Sequence, residues 1–277
     1  MARSTRQDSS RLCTLLISKR KPLVIAHRGS SALAPENTLA AFAHAMNDGA
    51  DGIELDVRLA ADGVPVIIHD ATLRRTGLRA GSVAKLNSSE LARIDVGHWF
   101  NRAQPGLSNK TYVGQGVPTL GQVFQLLKKH KHALVYLELK TDRAEESASE
   151  LANSVVELVE AYQLSKRVVV VSFNLDLISQ VKRIDSAIFT GALFEPKREL
   201  ARLARKRRMI DAALRSGADE ILMHYLVATE GGVSFAQQNN LRVVVWTVDD
   251  PRWMRRARRL DIHALITNNP TAFTALP

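Results

Sequence analysis

The chain has 277 residues, 45% hydrophobic and 24% charged, with only 15 Gly and 9 Pro. These proportions supply a sizeable buried core and exclude collagen-like, low-complexity and intrinsically disordered chains. A single cysteine, Cys13, excludes an internal disulfide and a thiolate metal cluster within one chain, and suits a reducing, cytoplasmic compartment. The formal net charge is +10, concentrated in three strongly basic segments, residues 1–21, 196–216 and 252–259, while the rest of the chain is net acidic.

Residues 1–21 hold six cations against Asp8, with an apolar run at Leu12, Leu15, Leu16 and Ile17 broken by Cys13 and Thr14. That run is short for a secretory core and lacks a small-residue cleavage site, so the segment reads as a basic N-terminal tail before a domain spanning 22–277. No stretch reaches the roughly 18–20 apolar residues of a membrane span. From Pro22 onward, short β-branched runs alternate with stretches of helical period. Strands are expected at 23–26, 52–58, 133–139, 167–172, 187–193, 220–223, 242–247 and 264–267. Helices are expected at 38–48, 120–129, 143–161, 175–183, 198–216, 229–239 and 251–259. The alternation, without a linker, points to an α/β fold, a single (β/α)8 TIM barrel. Residues 70–118, rich in glycine and with a helical pattern only at 88–94, form an insertion after the second strand.

In a parallel barrel, reactive groups gather where strands end, because the βα loops form that face. The first strand ends in His27-Arg28-Gly29, and the second carries Glu54 and Asp56, spaced i, i+2 and so on one side. After an Asp62-Gly63 turn, an apolar extension finishes at His69-Asp70, and the third strand closes with Glu138-Leu139-Lys140. Three inward carboxylates repel one another unless a cation sits among them or a pKa rises. All-oxygen ligation suits Mg²⁺, Mn²⁺ or Ca²⁺ better than Zn²⁺. The spacing is equally compatible with a salt-bridge layer in which Glu54 and Asp56 pair with Arg28, Lys140 or Arg58. His27 and His69 beside such a cluster suit base and acid roles on opposite sides of a phosphorus or carbonyl centre. Arg28 and Lys140 are donors suited to a phosphate. Of the remaining histidines only His224, at the end of the sixth strand, stays a candidate.

These residues sit in a longer series: His27-Arg28-Gly29; Pro35-Glu36-Asn37-Thr38 leading to Ala41-Phe42; Glu54-Leu55-Asp56-Val57; Asp62-Gly63-Val64-Pro65-Val66; His69-Asp70; Leu73-Arg74-Arg75-Thr76; Val117-Pro118-Thr119-Leu120; Glu138-Leu139-Lys140; Ser172-Phe173; Trp246-Thr247-Val248; Ile266-Thr267-Asn268-Asn269-Pro270. In that order they resemble the glycerophosphodiester phosphodiesterases, within the superfamily of phosphatidylinositol-phospholipase-C-like TIM barrels. The resemblance implies hydrolysis of glycerophosphodiesters, such as glycerophosphocholine, to sn-glycerol 3-phosphate and an alcohol. It matches Glu54, Asp56 and Glu138 to divalent-metal ligands, and His27 and His69 to the acid/base pair. Arg28 and Lys140 match phosphate-contacting positions and Trp246 a pocket-lining aromatic; by itself Trp246 reads as a buried barrel residue. The sequence departs from the family at the C-terminal end, where many members have Thr-Asp and this chain has Thr267-Asn268-Asn269-Pro270; the resemblance implies a structural or peripheral role for that segment. Water and a neighbouring glycerol hydroxyl both remain as nucleophile.

Two other readings follow from the charge. A D-type lysophospholipase docked by its basic tail on an anionic surface would need an apolar entrance, for which the insertion offers Trp99, Phe100, Leu107, Tyr112 and Val113. A nucleic-acid-binding protein would interleave aromatics with its basic runs, and only Trp253 does so. The expected partner is therefore a small-molecule glycerophosphodiester and not nucleic acid, with peripheral contact to an anionic surface left open. Arg252, Arg255, Arg256 and Arg259 are expected on one solvated helical face.

Overall fold

The computed structural model describes residues 21–141, 145–195 and 203–275. The expected basic tail, apart from Lys21, and the start of the expected helix 198–216 lie outside the described residues. In chain order the strands are β1 (Leu23–His27), β2 (Gly52–Leu59), β3 (Pro65–Ile67), β4 (Leu134–Leu139), β5 (Val168–Ser172), β6 (Phe189–Phe194), β7 (Glu220–His224), β8 (Arg242–Trp246) and β9 (Ala264–Thr267). All but β3 run parallel, and the pairing of β1 with both β2 and β9 closes them into a TIM barrel. β3 lies outside the ring as an antiparallel partner of β2. Gly63 makes that return possible, because its φ of 73° lies in the left-handed region that side chains resist.

The connecting helices Leu39–Asn47, Leu120–Leu127, Glu145–Ala161, Leu175–Ile184, Leu203–Arg215, Glu230–Gln238 and Trp253–Arg259 lie where the 3.6-residue period places them. Their starts are set by local chemistry: the Thr38 hydroxyl accepts from Ala41 N, and Thr119 and Gln122 form a reciprocal capping box. Strand alternation then sorts the core. Val135, Leu137 and Leu139 of β4 pack outward under the helices, whereas Tyr136 joins Ile25, Val171, Leu222 and Val244 in the barrel lumen. The same period that turns Tyr136 inward turns Glu138 inward.

The insertion is more structured than its composition suggests, with the short helices Ser88–Leu91 and His98–Ala103. Leu73, Val83, Leu91 and Val117 pack with Val66 and Ile68 into a small core that ties it to β3. Phe100 and Tyr112, candidates for an apolar entrance, are instead buried against Ala34 and Ala41. A second difference concerns Arg256. It does not share a solvated face with Arg252, since its guanidinium stacks 4.4 Å from the Trp253 ring centroid and Nη2 donates to Ala228 O at 2.9 Å. Among the described residues, no helix is long and apolar enough to cross a membrane.

Candidate active site

Register brings the acidic residues together. In the β2–β4 pairing Asp56 lies level with Glu138, and in the β1–β2 pairing His27 lies level with Glu54. Ligand oxygens of Glu54, Asp56 and Glu138 all come within 4.8 Å of one another, and all three residues are buried. The salt-bridge alternative is also partly realised. Asp56 is ion-paired with Arg28 Nε at 3.1 Å and with Lys140 Nζ at 3.2 Å, and Lys140 bonds Glu138 as well. Arg58 takes no part, because its Nε donates to His69 O at 2.8 Å. The two contacts to Asp56 lie off the hydrogen-bond axis, so Arg28 Nε and Asp56 Oδ1 are buried without a hydrogen bond.

Two cations cannot neutralise three carboxylates, and the acidities record the deficit. Burial pushes Asp56 up, but Lys140 and then Arg28 outweigh it and hold its carboxyl well below the usual range. Burial, followed by the charges of Asp56 and Glu138, raises Glu54 well above its ordinary value. Burial and the Asp56 charge raise Glu138 to about 7. The cluster is thus short of positive charge and offers only oxygen donors. Both properties fit a hard divalent cation.

The loop after β1 is strained into place. Arg28 has φ 54° and Asn37 φ 57°, left-handed values that cost a non-glycine residue on the order of 1 kcal/mol each. Compensating bonds hold them: Arg28 N donates to Glu54 Oε2 at 3.0 Å, Asn37 N to Arg28 O at 3.0 Å, and Asn37 Nδ2 to Asp56 Oδ2 at 2.7 Å. Gly29 between them is obligatory, because a Cβ there would fall 2.6 Å from the backbone of Ala41. Arg28 Nη1 reaches Glu36 Oε1 at 2.9 Å, and Arg75 clamps Glu36 from the other side through both guanidinium nitrogens, 2.7 and 2.8 Å. Arg75 Nε in turn donates to Asp70 Oδ2 at 2.7 Å.

Both histidines are anchored through Nδ1. His69 Nδ1 lies 2.7 Å from Asp70 Oδ1, and His27 Nδ1 lies 2.7 Å from Asn268 Oδ1, while His27 Nε2 stands 3.9 Å from Glu54 Oε2. Burial, reinforced by Arg28, lowers the His27 pKa to about 4, and burial also lowers His69. A cavity of about 250 Å³ at this end of the barrel is lined by His27, Arg28, Glu54, His69, Glu138 and Lys140 on one side. The rest of its lining is largely apolar and aromatic, including Phe173, Leu222 and Trp246 together with Glu195. Trp246 is therefore a barrel-mouth residue, held by its Nε1 donating to Leu222 O at 3.2 Å and by edge contacts to Phe173 and His224. His224 stays beside Trp246 and outside the cavity lining. A larger cavity, about 370 Å³, lies between β2, the insertion and the helix Glu145–Ala161. It shares Lys140 with the barrel mouth but contains none of the three carboxylates or the two histidines.

Sequence reasoning brought forward the chemistry-bearing side chains but not their supports. Asn37, Glu36 and Arg75 appear in the sequence only within motifs, and the Asn268 segment only as structural or peripheral, whereas the Asn268 side chain contacts His27 directly. The strand-end rule could have found it, since Asn268 directly follows β9 just as His27 ends β1.

The family model described as "Glycerophosphoryl diester phosphodiesterase family" matches residues 27–272. A glycerophosphodiester phosphodiesterase of Caldanaerobacter subterraneus subsp. tengcongensis is 34% identical over 250 residues, covering 90% of this chain and 95% of that one. One from Bacillus subtilis is 29% identical over 269 residues, covering 93% and 87% respectively. Among solved structures, an Oleispira antarctica phosphodiesterase in complex with the product sn-glycerol-3-phosphate superposes with a TM-score of 0.78 at 26% identity, over 92% of this chain and 96% of that one.

Proposed function

The chain belongs to the glycerophosphoryl diester phosphodiesterase family, and we propose that the groups converging on its barrel mouth carry out the hydrolysis. It is a phosphoric diester hydrolase that cleaves glycerophosphodiesters to sn-glycerol 3-phosphate and an alcohol. The observation that supports the site is the meeting, at one mouth, of three buried carboxylates with two imidazoles that are both anchored through Nδ1.

Glu54, Asp56 and Glu138 would hold the divalent cation, of the Mg²⁺ or Ca²⁺ type, with Mn²⁺ also compatible with their donor set. Bound there, the cation supplies Lewis-acid stabilisation of a phosphate oxygen. Arg28 and Lys140 line the same cavity and present positive charge to the phosphate where negative charge develops. Their ion pairs with Asp56, Glu36 and Glu138 hold them in place, so little reorganisation accompanies substrate binding. One histidine takes at its Nε2 the proton of the attacking nucleophile, water or the neighbouring glycerol hydroxyl, and the other gives a proton to the departing alkoxide; attack by the hydroxyl yields a cyclic phosphate that water then opens to sn-glycerol 3-phosphate. Their bonds to Asn268 and Asp70 leave the Nε2 atoms free for these transfers. Trp246 and Phe173 form the wall against which the rest of the substrate lies. A cytoplasmic location belongs to the same reading, supported by the single cysteine.

The test is product identification. Purified protein with Mg²⁺ and glycerophosphocholine should release sn-glycerol 3-phosphate and choline, with lysophosphatidylcholine turned over far more slowly. His27→Ala and His69→Ala should each abolish release; a folded variant with full turnover would contradict the assigned roles.

A further inference from the structure

Three successive strand ends meet behind His27. β1 ends at His27, Asn268 follows β9, and Asp249 follows β8 by way of Thr247 and Val248. The β1–β9 register pairs Ala26 with Thr267, which sets His27 and Asn268 side by side at the mouth. Asp249 grips Asn268 at two points: its Oδ1 accepts from Asn268 N at 2.8 Å and its Oδ2 from Asn268 Nδ2 at 2.7 Å. The Thr267 hydroxyl also donates to Asp249 Oδ1, at 3.1 Å.

This arrangement fixes which way the Asn268 amide points. A carboxylate only accepts hydrogen bonds, so the group facing Asp249 must be the NH₂, and a flipped amide would oppose two acceptors at 2.7 Å. The amide oxygen is thereby turned toward Ser31 Oγ, at 2.9 Å, and His27 Nδ1, at 2.7 Å. An amide oxygen also only accepts, so Nδ1 of His27 must carry the hydrogen, and in the neutral ring the lone pair is left on Nε2, toward Glu54 and the cavity.

We infer that Asp249 and Asn268 form a positioning unit that sets the tautomer and orientation of His27. It rests on His27 taking part in the proton transfers proposed above. The unit differs from the partner of His69, which is a carboxylate on the adjacent residue, Asp70. Next to three buried carboxylates, an amide orients the imidazole without adding a fourth negative charge, and the charge that locks the amide stands one residue further out, on Asp249.

The test combines spectroscopy of the unaltered protein with kinetics of variants, all in Mg²⁺. In the ¹⁵N-imidazole spectrum, the neutral His27 ring should carry its hydrogen on Nδ1 with a bare Nε2; an Nε2-protonated ring overturns the inference. Asn268→Ala should lower kcat on glycerophosphocholine about 100-fold while KM changes less than about 3-fold. Asp249→Asn should also lower kcat, and the double exchange Asp249→Asn with Asn268→Asp, which restores one amide facing one carboxylate, should recover at least about 10-fold over that single variant. Unchanged kcat in Asn268→Ala beside an inactive His27→Ala overturns the positioning unit alone. Full turnover in His27→Ala instead overturns the hydrolytic role of His27, and the spectrum still decides the tautomer. Should Asn268→Ala fail to fold, the spectrum of the unaltered protein is the deciding result.

Discussion

Asp56 and Glu138 stand level in the register of β2 and β4, yet one is held ionised and the other is pushed up to about 7. The divergence follows from unequal contacts: Asp56 is ion-paired with both Lys140 and Arg28 and accepts from Asn37, whereas Glu138 contacts Lys140, which it shares, and feels Arg28 without an ion pair. Such a cluster keeps buried carboxyl groups whose ionisation their neighbours oppose, the condition that the proposed cation would relieve.

Replacing Glu54 by Gln should therefore separate stability from activity. The amide keeps the shape of the side chain and replaces a buried carboxyl whose ionisation its neighbours oppose. The metal-free variant should melt at or above the temperature of the unaltered protein, while hydrolysis falls by about 1000-fold or more. Differential scanning calorimetry and a product assay check both halves.

Arg75 touches no residue proposed to meet the phosphate, yet it clamps Glu36, which holds Arg28, and Asp70, which holds His69. Arg75→Ala should lower kcat about 10- to 100-fold. Arg75→Lys should rescue little, because a single ammonium cannot replace the two-pronged contact with Glu36. Steady-state kinetics of the two variants distinguish this role from simple surface charge.

Trp246 should act through binding. Trp246→Ala should raise KM for glycerophosphocholine about 10-fold with a smaller change in kcat, and Trp246→Phe should keep most of the affinity by preserving an aromatic face toward the cavity.

At the other end of the barrel, Glu220 is fully buried beneath Tyr136, whose hydroxyl donates to it at 3.0 Å, and faces Arg242. Burial raises its pKa to about 7. The folded state thus keeps a proton that the unfolded chain releases near 4.5. That stabilisation is complete below about 4.5 and is lost as pH rises through about 7, a change of roughly 3 kcal/mol. His27 and His263, both lowered to about 4, shift stability in the opposite direction over part of this range, so the expected result is a difference: across pH 5–8 the melting temperature of the unaltered protein should fall relative to that of Glu220→Gln under identical conditions.

The barrel and its reactive face were legible in the sequence because both rest on local periods. Alternation along Leu134–Leu139 turns Glu138 inward, and the i, i+2 spacing does the same for Glu54 and Asp56. What was not legible depends on long-range closure. Asn268 reaches His27 across 241 residues of chain, and although both stand at strand ends, only closure of β9 onto β1 sets them side by side. The left-handed backbone of Arg28 and Asn37 is equally silent, since neither residue type demands it; the bonds to Glu54 and Asp56 impose it. Arg256 was misplaced for a related reason: helical period gives the face of a side chain but not the Trp253 ring and Ala228 carbonyl that capture it.

The central claim is that three carboxylates at the barrel mouth hold a divalent cation needed for hydrolysis of a glycerophosphodiester. Its most direct test is turnover of glycerophosphocholine after exhaustive chelation, followed by add-back of Mg²⁺, Ca²⁺ or Mn²⁺. Activity should vanish with the chelator and return with at least one of these ions in the unaltered protein but not in Asp56→Asn. Turnover that survives complete removal of divalent ions would contradict the account.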